Sequence, residues 1–99
     1  MNLININGVD YPCRQTMGAM LRYKRETGTE VTEIGGGDFS SLAVYLWCCC
    51  ASACAADKVE FTYTVMDFAD NLTAEALAAW AQSIAEGGED ATGAKKNLG

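Results

Sequence analysis

No histidine occurs anywhere in the 99 residues. The side chain that most often serves as general base, metal ligand and partner of a nucleophilic thiol is therefore absent. Basic residues are scarce as well: 7 Lys plus Arg stand against 13 Asp plus Glu, a net charge of −6. Such a field repels a nucleic-acid duplex or an anionic membrane surface, so neither is expected as a partner. The opening MNLININGVD lacks a basic lead, a long apolar core and a small-residue cleavage site, which excludes a secretion signal and places the expected location in the cytoplasm. The apolar run from Leu42 to Ala56, broken by Ser52, falls short of the ~18–20 residues that span a bilayer. A buried helix is expected there. Proline occurs once, at Pro12.

What is present is hydrophobic: 49% of residues, against 20% charged, the balance of a chain that folds around a core. Residues 1–86 are expected to form one domain. At this length folding buries roughly two-thirds of the extended chain's surface, so no metal or disulfide staple is needed. The closing GGEDATGAKKNLG, residues 87–99, has one leucine to bury and is expected to be a flexible tail.

Four of the five cysteines crowd into LWCCCASAC, Leu46 to Cys54. A structural zinc ion needs four converging ligands. Consecutive residues on a helix point ~100° apart, so Cys48, Cys49 and Cys50 cannot meet at one ion; Cys50 and Cys54 alone share a face. A nucleophilic thiol needs a base, a cation or a helix N-terminus beside it, and these lie late in an apolar helix. Adjacent helical cysteines also diverge too far for disulfides. All five are expected as reduced, small apolar core residues. Gly35-Gly36-Gly37 before a helix hints at phosphate binding, but Asp38 would occupy the free N–H groups itself. Asp67 and Asp70 suit helix-cap and solvated-face roles better than an acid/base pair. No catalytic constellation remains, no cofactor is implied, and the protein is expected not to be an enzyme.

Asn7-Gly8 between two short alternating runs predicts a β-hairpin over residues 2–13 with a type I′ turn. Its register pairs Ile6 with Val9, Ile4 with Tyr11 and Leu3 with Pro12, which puts Ile4, Ile6, Val9, Tyr11 and Cys13 on the buried face. Pro12 blocks pairing on the far side of the second strand. Thr16 and Gly28 delimit a helix over 17–27, and Asp38 opens a second over 39–56, with a loop between. Residues 59–64 alternate like a third strand or an extended connector. Thr64 then opens a short helix, and Thr73 a last one with Leu77, Trp80, Ala81 and Ile84 on one face. The fold class is α+β, an N-terminal β-hairpin packed against three to four α-helices.

Arg22, Lys24 and Arg25 form the one local patch of positive sign. It is either a solvated face with an Arg22–Glu26 pair or a contact surface for an acidic partner. Tyr23, Trp47 and Trp80 are candidate aromatic contacts. The second helix is apolar on every side, which implies either a central position or cover from another subunit, a homo-oligomer.

In order and spacing, INGVDYPCRQTMGAMLRYKRETG, then DFSSLAVYLWCCCASACAAD, then FTYTVMDFADNLTAEALAAWAQSI resemble the tail assembly chaperones of long-tailed bacteriophages and prophages. The resemblance implies a protein that coats the phage tape-measure protein, keeps it soluble, helps recruit tail-tube subunits, and is absent from the mature virion. It also implies a possible longer product made by frameshifting near Lys95-Lys96. The alternative function is a self-associating structural component of a phage tail or head-tail connector.

Overall fold

Asn7 and Gly8 take positive φ values of 55° and 83°, the left-handed pair that a two-residue turn demands. Asn5 pins that turn from inside: its side chain accepts from Gly8 N at 3.1 Å and donates to Asp10 Oδ1 at 2.9 Å. In the computed structural model, which describes residues 3–35 and 37–85, strands β1 (Leu3–Ile6) and β2 (Val9–Pro12) form this hairpin. The register is as the sequence predicts, Leu3 opposite Pro12 through Ile6 opposite Val9. Ile4, Ile6 and Cys13 are buried, and Tyr11 is half-buried. Val9, expected on the covered face, is 50% exposed. It points the same way as Ile6, but the turn end from Asn7 to Asp10 is exposed throughout; alternation fixes a side chain's direction and not the reach of its neighbours.

Helix α1 (Met17–Thr27) begins where Thr16 accepts from Ala19 N and ends at left-handed Gly28, whose N–H bonds to Lys24 O at 2.8 Å. Ala19 and Tyr23, one turn apart, are its buried residues. A 3₁₀ turn, Val31–Glu33, interrupts the following loop. Asp38 then caps α2 (Phe39–Asp57), its carboxylate taking both the backbone N–H and the hydroxyl of Ser41. Residues 59–64 are extended but join no ladder. Instead they form an aromatic strap: Trp47 donates to Tyr63 O at 2.9 Å, and Tyr11 meets Phe61 and Tyr63 edge-on. Thr64 caps α3 (Val65–Asp70), and Thr73 accepts from Ala76 N at the start of α4 (Ala74–Ala85).

The hairpin, α1, α3 and α4 all pack around α2, which buries Tyr45, Leu46, Cys48, Cys49, Cys50, Ala53 and Cys54. At 19 residues α2 is longer than the apolar run within it, and by length and composition it could cross a membrane. Its place at the centre of the core follows from what surrounds it. The fold is α+β as expected. The segment 87–99, expected to be a flexible tail, lies outside the described residues, as does Asn2 of the hairpin.

At the far end of α2, Arg14 grips Asp57 at 2.7 and 3.2 Å and reaches Ala53 O at 3.4 Å, placing a cation at the helix's negative end. The bond from Arg14 holds the Asp57 carboxyl below its ordinary value, and the bond from Ser41 does the same for Asp38. On acidification below about pH 4 the unfolded chain takes up these protons before the native chain does. The stability they contribute is therefore complete above that pH and lost as pH falls through the lowered native values. The melting temperature is expected to drop in this range, less steeply in an Asp38→Asn/Asp57→Asn variant. Parallel curves for the two proteins would assign the acid sensitivity to other groups.

Candidate partner-binding surface

The thiols are the first chemistry to place. Cys48, Cys49 and Cys50 have no exposed surface, Cys13 and Cys54 almost none, and none of the five is in a disulfide. Burial pushes the Cys48 thiol up to about 12. Cys50 is held protonated by its hydrogen bond with Cys13 and by burial, and burial also raises Cys54, whose thiol faces Pro12 O at 4.0 Å. A thiol kept neutral is neither a nucleophile nor a ligand. Among the described residues no group of three potential ligands could hold a metal ion. Elemental analysis of protein purified without added metal is expected to find no stoichiometric zinc or iron; one ion per chain would overturn this assignment.

The aromatic and basic candidates separate. Tyr23 is not a surface contact: it is 2% exposed and its ring stands edge-on to Tyr45 at 5.9 Å. It lies one turn after Ala19 on the side of α1 turned to α2, so the face it shares decides its fate. Trp47 is half-buried and spent on the strap. Trp80 is half-buried, its ring system in an edge contact with Tyr45 at 5.9 Å. Lys24 pairs with Glu30 at 2.8 Å, and Arg25 with Glu26 at 3.7 Å. Arg22 donates back to Gly18 O at 3.3 Å instead of forming the expected pair with Glu26. By their spacing on α1, Arg22 and Arg25 lie on the side of the helix away from Met20.

Two open grooves flank α4. The larger, about 400 Å³, runs between α1, the 3₁₀ segment, α2 and α4. Met20, Val31, Ile34, Leu42, Tyr45 and Ile84 make its apolar lining, and at its floor the Tyr45 hydroxyl donates to Gln15 Oε1 at 3.2 Å. The smaller, about 270 Å³, lies between β1 and α4, with Leu3, Ile4, Ala79 and Trp80 among its walls. The larger groove is not among the sites expected from the sequence. Its one local signal was Val31 and Ile34, two apolar residues in a segment otherwise read as a polar loop. Family models, curated proteins and solved structures all give no match to this chain.

Proposed function

We propose that this protein is a non-enzymatic tail assembly chaperone, which binds the phage tape-measure protein in the host cytoplasm, helps bring in tail-tube subunits, and leaves before the virion is complete. The observation that carries the proposal is the apolar groove beside α4, lined by Met20, Val31, Ile34, Leu42 and Ile84. A long helical chain that must stay soluble exposes apolar stripes, and a trough between helices is the shape that accepts one. Repeated weak binding along such a chain adds up through multivalency. The resemblance in sequence supplies the biological partner; the thiols and carboxylates described above supply no competing chemistry.

Co-expression tests this. The tape-measure protein is expected to be soluble with the chaperone and insoluble without it, and finished tails are expected to lack the chaperone. Retention in finished tails would favour the second reading, a self-associating structural component of the tail or connector. One observation favours that reading: Met17 and Leu21, one turn apart on α1, are 67% and 66% exposed and offer an apolar ridge for a neighbouring subunit.

A further inference from the structure

We propose that the larger groove takes the apolar face of an amphipathic helix whose flanks carry lysine or arginine. This rests on the groove being the partner-binding face. Charge at the rim sets the sign. Glu30 caps the 3₁₀ turn and Glu33 ends it, next in sequence to the lining residues Val31 and Ile34; Asp38 caps α2 three residues after Gly35; and all three are exposed. Against them stands Lys24, one turn beyond Met20, whose pair with Glu30 cancels one charge of each sign and leaves Glu33 and Asp38 to make the rim acidic. Arg22 and Arg25 lie on the other side of α1, and the α4 wall contributes Ala81 and Ile84, which carry no charge.

Other occupants fit less well. A fatty acid would bring its carboxylate to an acidic rim. A second copy of this chain would bring a net charge of −6. The volume, near the low end of the ~300–1,000 Å³ of small-molecule sites, is open along one side, which suits a few side chains spaced one turn apart on a helix.

Two synthetic peptides of about 14 residues, four turns of helix, with the same leucine stripe and flanks of either lysine or glutamate, test the sign by fluorescence anisotropy on the full chain. The lysine peptide is expected to bind at least about tenfold more tightly at low salt, with the preference shrinking as salt screens the rim. Glu30→Lys/Glu33→Lys should reverse the preference. Asp70→Lys/Glu75→Lys, which changes net charge equally on α3 and α4 away from the groove, should leave it in place. Ile34→Ser should weaken both peptides alike while the chain stays folded at the assay temperature, with the modest fall in melting temperature expected for a half-buried residue packed against the core.

Equal affinity for the two peptides, indifference to the groove substitutions, or no binding of either would overturn the inference. The chaperone reading fails separately. A tape-measure complex that survives Ile34→Ser unchanged sinks the groove and spares the function. A lysine peptide that binds while no tape-measure complex forms does the reverse.

Discussion

Replacing Phe68 by alanine is expected to lower the melting temperature by about 15–30 °C, the consequence of losing ~3–5 kcal/mol in a domain of this size. Phe68 has no exposed surface and is the buried residue of a helix only six residues long. Its ring stands 6.0 Å from Phe61 and 6.4 Å from Tyr63, so it holds both α3 and the aromatic strap against α2. Removing it leaves a cavity that a short helix and an extended strap cannot fill together, and the lost energy is a large share of the ~5–15 kcal/mol that such domains have in total. Trp47 reports the event, because its indole bonds to Tyr63 in the strap. Phe68→Leu should retain most of the stability. A shift under about 5 °C in Phe68→Ala would mean that α3 is held by something other than this contact.

The second large effect separates two changes that remove the same three sulfurs. Serine at Cys48, Cys49 and Cys50 together is expected to prevent folding, since each hydroxyl taken out of water into the core costs ~1–3 kcal/mol. Alanine at the same three positions removes the sulfurs without adding polarity and should fold with a reduced melting temperature. The helix tolerates one serine among these neighbours, Ser52, and there the hydroxyl meets Thr16 Oγ1 at 2.6 Å. Circular dichroism of the two triple variants reads the difference. If the serine variant proved as stable as the alanine variant, the thiols would not be packing as apolar groups.

Local rules were legible in the sequence because local atoms enforce them. Thr16, Asp38, Thr64 and Thr73 all accept the N–H three residues on, as small polar residues before apolar periodicity predict. Gly28 ends α1 in the left-handed region, and Asn7-Gly8 sets the hairpin register. The second helix runs one residue past its expected end, to Asp57, where Lys58 adopts φ 60° without a glycine to mark it. What failed depends on distant segments. The alternation of 59–64 could not say whether a strand neighbour was on offer. In the fold Tyr11 presents its ring to Phe61 and Tyr63, and side chains hold the segment in place of a ladder. Tyr23 could not be told from a surface aromatic until α2 lay against it. The groove joins residues from positions 15 to 84, and no window of sequence contains it.

The central position of α2 also orders events during synthesis. Half of the buried hydrophobic side chains among the described residues belong to this one helix in the middle of the chain. Until Asp57 has left the ribosome, Ile4, Ile6 and Tyr23 have no surface to close against, and the nascent chain carries them bare. Once α2 is complete, every other element lies within about forty residues of it, so the loops to be closed are short and closure is fast. Hairpin and α1 can dock while the strap, α3 and α4 are still threaded through the exit tunnel, and those later elements emerge onto a scaffold already half built.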